Sequence, residues 1–132
     1  WGQRDNYDFL VGMRESRISP LSRKFISIVS RITVWLLYGK GVFDVNSPYR
    51  LYRRDKFFNI FNKIPQDTFA PNVILSGYAA KKHLRIFEIN IPYNIRNTGQ
   101  VSIKKFKLIK YAIKSFIQTV LYRYKIGKAH IN

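Results

Sequence analysis

One carboxylate stands at the head of a basic and aromatic stretch, 44-DVNSPYRLYRR-54. Asp44 is followed by Ser47, Arg50 and two further arginines. A carboxylate can take a proton from an attacking hydroxyl, and a guanidinium donates a planar pair of hydrogen bonds that matches phosphate. The stretch therefore predicts either a structural ion pair or a site that handles phosphate, with Asp44 as the candidate general base.

A second candidate site lies on a helix that the sequence predicts from Leu21 to Tyr38. Arg23 and Ser27 are four residues apart and share a face. An arginine with nearby hydroxyls is suited to phosphate binding. The alternative is the solvated polar side of an ordinary amphipathic helix. An apolar stripe occupies the opposite side of this helix and consists of Phe25, Ile28, Val29, Ile32, Trp35 and Leu36.

A third candidate site follows a predicted strand that contains Glu88. Arg96 lies beyond that strand, Gly99 marks a turn, and Ser102 stands where the last helix is predicted to begin. Free backbone N–H groups at the start of a helix attract anions, and a nearby arginine adds a positive charge. These residues indicate a further anion site, although turns before basic helices are common.

The last predicted helix, within residues 102–132, is basic and amphipathic. Its apolar side chains alternate with lysines at helical spacing. Such a helix suits contact with an anionic membrane surface. The alternative is a helix that packs on the core and turns a basic face to water.

Composition limits the classes of protein to be considered. The chain has 132 residues, enough for one domain with a core, and its 24 Lys and Arg against 7 Asp and Glu give a net charge of +17. This excess favours polyanionic partners: nucleic acid, anionic membrane or phosphorylated small molecules. The absence of cysteine excludes disulfides, thiolate zinc sites and cysteine nucleophiles. The sequence contains no glycine-rich phosphate loop, no metal-binding cluster and no paired carboxylates.

The order of predicted elements is strand, helix, strand, two helices, strand and helix, which indicates an α/β fold. About three strands are few for a complete doubly wound domain. We therefore expect the rest of the sheet to come from residues outside this chain. Residues 1–101 would form the α/β part, and residues 102–132 the basic C-terminal helix.

Four segments, in the same order, carry a resemblance to a known family. Asp8, Val11, Gly12 and Arg14 form the first, and Arg23 with Ser27 the second. The third resembles the pattern D-x-x-S-G-F-R at Asp44, Ser47, Pro48, Tyr49 and Arg50, with Pro48 in place of the glycine. The fourth resembles E-x-P-x-x-x-x-R-x-x-G-x-S-K, with a looser fit at its ends, and includes Glu88, Pro92, Arg96, Gly99 and Ser102. Over nearly its whole length the chain resembles the C-terminal half of family 2 glycosyltransferases, in the branch of dolichyl-phosphate mannosyltransferase and polyprenyl-phosphate glycosyltransferases.

The resemblance implies a partial GT-A (Rossmann-like) fold whose nucleotide-binding half would precede Trp1. It implies inverting transfer of a sugar from a nucleotide-sugar to a lipid phosphate or a glycan hydroxyl. The parent protein would use Mg²⁺ or Mn²⁺, whereas this fragment would bind no metal and would be inactive alone. Asp44 would be catalytic, and the acceptor or its phosphate would be held by Arg14, Arg23, Ser27, Ser47, Arg50, Arg96 and Ser102. The expected location is cytoplasmic, at the inner face of the membrane.

Two other interpretations of the charge stay open. The chain could be a small basic module that binds nucleic acid through its phosphates, although it shows no helix-turn-helix, zinc or RNA-sheet signature. It could also be an adaptor that binds anionic membrane through its last helix. Self-association through an exposed edge strand is a further expectation.

Overall fold

The computed structural model describes residues 1–14, 21–92 and 105–128, and the side chains of residues 14, 21–23, 105–108 and 125–128 are outside this description. In these ranges the chain is a small α/β domain with a three-stranded mixed sheet and four helices. The predicted α/β class and the predicted order of elements are confirmed. The strands are β1 (Phe9–Arg14), β2 (Arg50–Tyr52) and β3 (Ile86–Ile91), and the helices are α1 (Leu21–Tyr38), α2 (Arg54–Phe61), α3 (Pro71–Lys81) and α4 (Lys105–Lys128).

The sheet has the strand order β2-β1-β3. β1 runs parallel to β3, with Phe9 opposite Ile86, and antiparallel to β2, with Phe9 opposite Tyr52. The carboxyl ends of β1 and β3 therefore lie at the same edge of the sheet as the beginning of β2. We call this edge the carboxyl edge.

The core lies between one face of the sheet and the helices. Phe9 and Val11 alternate along β1, are fully buried, and belong to one cluster with residues of α1, α2 and α3. Side chains two apart on a strand point to the same face, so both project toward the helices. The ring of Phe9 stacks on Tyr52 at 5.0 Å between centroids and meets Phe57 of α2 at 5.4 Å. These aromatic contacts fix β2 and α2 against the central strand.

The opposite face of the sheet is more open. Leu10, Leu51 and Phe87 are half-buried, and Ile89 is 53% exposed. None of these four side chains belongs to the buried cluster on the helical side. The described part of the chain therefore has one covered and one partly uncovered sheet face.

A buried carboxylate joins all three strands at the other edge. Asp8 receives hydrogen bonds from Nε and Nη2 of Arg85 at 3.2 and 3.0 Å, and from the backbone N–H of Arg85 at 3.0 Å. Arg53, between β2 and α2, lies 3.8 Å from the same carboxylate. The Arg85 side chain is the main cause of a lowered pKa of Asp8, although burial acts in the opposite direction.

We expect Asp8→Ala to lower the free energy of unfolding at neutral pH by about 2 kcal/mol, because a buried acceptor of several hydrogen bonds is lost. The pKa of Asp8 is lowered by folding, so its contribution is fully present above its ordinary value of 3.8 and is lost as pH falls below that value. Urea unfolding at a series of pH values would measure this difference. Asp5→Ala, in an exposed pair with Arg4, is the control. Equal stability of the two variants at neutral pH would contradict the assignment.

α1 has the predicted amphipathic spacing, but its apolar stripe does not face the core. The residues that α1 buries are Thr33, Val34 and Tyr38. All six residues of the stripe are exposed, from Val29 at 37% to Leu36 at 73%. Val34 lies on the polar side of α1 and faces into the protein. The alternative of a solvated polar side is therefore wrong around this residue.

α4 shows the same arrangement. It buries Thr119 and Tyr122 and exposes its apolar side, which includes Ile109, Ile113, Phe116, Ile117, Leu121 and Tyr124. Within the described residues, the helix packs on the core through Tyr122 and leaves its apolar stripe exposed. No described helix is both long enough and apolar enough to cross a membrane.

Hydroxyl groups allow the polar sides of α1 and α4 to pack together. Thr33 and Thr119 each donate to a carbonyl one turn earlier in their own helix, at 2.8 and 2.7 Å. Between the helices, the hydroxyl of Tyr38 donates to the carbonyl of Thr119 at 2.7 Å, and Nε of Arg123 donates to the carbonyl of Leu37 at 2.6 Å. Burial raises the pKa of Tyr38 well above its usual range. These four side chains therefore all donate to backbone carbonyls at the interface.

Candidate functional site

Residues 39–49, which we call the site loop, return the chain from the end of α1 to the carboxyl edge of the sheet. Gly39 has φ of +100°, a conformation that favours glycine, and its N–H donates to the carbonyl of Trp35 to end the helix. At the other end of the loop, the carbonyl of Tyr49 accepts from the N–H of Gly12 at 2.9 Å. Ligand sites of open α/β sheets commonly lie beyond the carboxyl ends of parallel strands.

Ser47 fastens the site loop to the end of β1. Its side chain is fully buried, and its hydroxyl donates to the carbonyl of Gly12 at 2.5 Å. The same oxygen accepts from the N–H of Tyr49 at 3.2 Å. Because a serine hydroxyl has one proton, the donor of Ser47 is used within the protein. The described contacts of this predicted acceptor residue are structural.

Arg50 holds the site loop against α3. Its Nε and Nη2 donate to the carbonyls of Ser47 and Val45, both at 2.6 Å. Its Nη1 donates to the carbonyl of Asn72 and to the hydroxyl of Ser76, both at 2.9 Å. Arg50 was predicted to bind the acceptor, but these contacts turn the planar fork of the guanidinium toward the protein and make it a clamp on the loop.

Asp44 opens a tight turn within the site loop. Its Oδ1 accepts from the N–H of Asn46 at 3.3 Å, and its carbonyl accepts from the N–H of Ser47 at 3.2 Å. The residue is half-buried. The turn therefore fixes the backbone of this half-buried residue at the carboxyl edge.

Glu88 of β3 brings a second carboxylate to the same loop. Both of its oxygens accept from the N–H of Phe43, at 2.9 and 3.0 Å, and Oε1 also accepts from the N–H of Asp44 at 3.3 Å. Burial is the main cause of a raised pKa of Glu88, and the charge of Asp44 adds to it, while the two N–H groups and Arg50 oppose it. The contact between these two acidic residues runs from the backbone N–H of Asp44 to the carboxylate of Glu88.

The other predicted site residues lie in several places. Arg14 is the last residue of β1, opposite Ile91 at the carboxyl edge, but its side chain is outside the described set, as is that of Arg23. Ser27 is half-buried on the side of α1 that carries Val34. Arg96 and Ser102 lie outside the described residues. The described contacts join Asp44, Ser47, Arg50 and Glu88, and do not join Ser27 to them.

The carboxylates of this site are a poor fit for a resident divalent cation. Within the ranges 1–14, 21–92 and 105–128, no three His, Cys, Asp or Glu side chains gather as a possible metal site. Glu88 already uses both oxygens on backbone N–H groups. These carboxylates therefore serve the site loop and are not proposed as metal ligands.

Sequence reasoning missed the residues that support the site loop from a distance. Glu88 was noted within a strand but was not chosen as a site residue. Nη1 of Arg50 donates to the backbone carbonyl of Asn72 and to the hydroxyl of Ser76, and neither residue was predicted to belong to the site. Asn72 takes part through its backbone carbonyl, which every residue type carries, so no feature of the sequence could have identified it.

Comparisons with known proteins found no match for this chain among protein-family models, among curated proteins or among solved structures. The interpretation of the site therefore depends on its residues and geometry.

Proposed function

We propose that this chain is the acceptor-side half of an inverting glycosyltransferase of family 2, in the branch that uses polyprenyl-phosphate acceptors. The parent protein would have a GT-A fold and would move a sugar from a nucleotide-sugar to a lipid phosphate or a glycan hydroxyl. The observation that carries the proposal is Asp44, held beside Glu88 at the carboxyl edge of two parallel strands. The ordered resemblance of four sequence segments supports the same function.

Asp44 is the proposed catalytic residue. With a hydroxyl acceptor, its carboxylate takes the proton as the oxygen attacks the sugar carbon and the nucleotide leaves from the opposite side. With a lipid phosphate, which is already anionic, Asp44 orients the acceptor instead. Glu88 and Arg50 are positioning residues, because they hold the backbone on which Asp44 stands.

Arg14, Arg23, Ser27 and Arg96 are proposed to hold the acceptor phosphate, on the strength of the resemblance and of the affinity of guanidinium for phosphate. Residues outside this chain would bind the nucleotide and the Mg²⁺ or Mn²⁺ ion. The ion would offset the charge that develops on the leaving nucleotide. A position at the cytoplasmic face of a membrane is part of the same proposal.

A transfer assay on a longer polypeptide that includes this chain tests the proposal. We expect transfer from a nucleotide-sugar to polyprenyl phosphate with inversion at the anomeric carbon, and none from the 132-residue chain alone. Arg23→Ala should raise KM for the acceptor about 10- to 100-fold, as loss of a charge-assisted hydrogen bond predicts. Arg54→Ala, at an exposed position on α2, is the matched control. Transfer by the isolated chain, or none by the longer one with any donor, would overturn the proposal.

A further inference from the structure

Two neighbouring helices turn large apolar side chains to the outside. On α1, Phe25 is 68% exposed, Trp35 48% and Leu36 73%. On α4, Ile113 and Ile117 are also exposed. Isolated apolar residues on a surface are ordinary, but two whole stripes are not. We call these two stripes together the apolar face.

The two stripes form one continuous surface. A groove between α1 and α4 is lined by Phe25 and Val29 from one helix and by Phe116 from the other, and all three belong to the exposed stripes. The hydrogen bonds from Tyr38 and Arg123 hold the helices side by side beneath this surface. The apolar face is therefore a fixed part of the fold.

The charges of these helices indicate what could cover the apolar face. Their sequences contain three basic residues in α1 and seven in α4, and neither contains Asp or Glu. Lys110 and Lys114 are exposed beside the stripe of α4, and Nζ of Lys40 lies 5.3 Å from the ring of Trp35. A second copy of the chain would bring the same positive charges to the contact and would be repelled. Anionic phospholipid offers both an apolar layer and opposite charge.

We propose that α1 and α4 together dock this protein on the surface of an anionic bilayer. The apolar face enters the boundary between headgroups and acyl chains, and the flanking lysines reach the lipid phosphates with their charged ends. Trp35 lies at this boundary, where its ring suits both environments. The inference goes beyond the expected role of the last helix alone, and it does not depend on the proposed transferase activity.

Trp35 can report the docking directly, because the chain has only two tryptophans and Trp1→Phe leaves Trp35 alone. The probe is a set of vesicles of phosphatidylcholine with or without phosphatidylglycerol. We expect a blue shift of Trp35 emission with the anionic vesicles and quenching by brominated acyl chains. Cosedimentation with anionic vesicles but without either change would mean adsorption by charge alone and would overturn the proposal.

Variants of the apolar face test which surface enters the lipid. We expect Leu36→Ser with Ile117→Ser to weaken binding to anionic vesicles by about tenfold or more, since two large apolar groups no longer leave water. Both positions are exposed, so thermal unfolding should change little. Phe58→Ser on α2, 51% exposed in the parent chain, is the control and should bind normally. Unchanged binding of the double variant would overturn the proposal, as would a loss of self-association in that variant with vesicle binding intact.

Discussion

Replacement of Arg50 by alanine is expected to lower the free energy of unfolding by about 3 kcal/mol, because hydrogen bonds of 2.6 to 2.9 Å from a charged donor to four protein groups are lost together. Two of those groups are the carbonyls of Val45 and Ser47 in the site loop, and the others, the Asn72 carbonyl and the Ser76 hydroxyl, belong to α3. The guanidinium is half-buried, so water would replace the lost donors only in part. Urea unfolding would measure the loss. An unchanged dependence of the unfolding free energy on urea concentration would show that both proteins unfold in two states.

Arg50→Lys separates a requirement for charge from a requirement for geometry. A lysine ammonium is a single point of charge and cannot contact both the site loop and α3 as the planar guanidinium does. This variant should therefore recover less than half of the lost stability. Arg54→Ala removes an exposed arginine nearby and should change stability by less than about 0.5 kcal/mol. Full recovery by lysine would contradict the clamp. It would mean that this position requires a positive charge and not the geometry of a guanidinium.

Loss of the clamp in Arg50→Ala is also expected to make the site loop more mobile. Amide hydrogen exchange should quicken at Asn46 and Ser47, whose N–H groups are protected by the turn that Asp44 begins. Exchange in the middle of β1, at Val11, should change less because this strand pairs on both sides.

Hydrophobic periodicity predicted the elements of this fold well. The first predicted strand corresponds to β1, and the helix predicted from Leu21 to Tyr38 is α1 with the same bounds. Gly39 ends that helix in the structure with a positive φ, a conformation that favours glycine. Hydrophobic spacing depends only on residues that are close in sequence. It can therefore be recognised without knowledge of the rest of the fold.

Periodicity could not show which side of α1 or α4 faces the core. It groups Phe25, Ile32 and Leu36 on one side but does not say what lies against that side. The inward side of α1 depends on contacts with the distant α4, where Tyr38 meets Thr119 and Arg123 meets Leu37. Only the tertiary structure shows that hydroxyl-bearing faces are paired and apolar stripes are exposed.

The site was predictable only where its residues are close in sequence. Asp44, Ser47 and Arg50 lie within seven residues, and the structure joins them through one loop. Glu88 is 44 positions from Asp44 and reaches it through the parallel pairing of β1 and β3, in which Glu88 lies opposite Val11. The chemical type of Ser47 and Arg50 suggested phosphate, but their use as structural donors depends on burial that composition does not reveal.

In the proposed transferase with a hydroxyl acceptor, Asp44→Asn is expected to lower kcat by about 10²- to 10⁴-fold, the usual contribution of a general base. Asparagine keeps an oxygen that can accept from the N–H of Asn46, so unfolding should change little. With a polyprenyl phosphate acceptor the loss should be smaller, because no proton has to be removed. The measurement is kcat for both acceptors, with Asp55→Asn, an exposed carboxylate on α2, as the control.

Glu88→Gln distinguishes the base from the residue that positions it. One oxygen of glutamine can still accept from the N–H of Phe43, but its amide group would face the loop N–H groups, so stability and kcat should both fall. Transfer to a hydroxyl acceptor should fall far more in Asp44→Asn than in Glu88→Gln, because Asp44 is the residue that takes the proton. The reverse result would make Glu88 the base, which its raised pKa would suit, and would leave Asp44 with the structural role of Ser47 and Arg50.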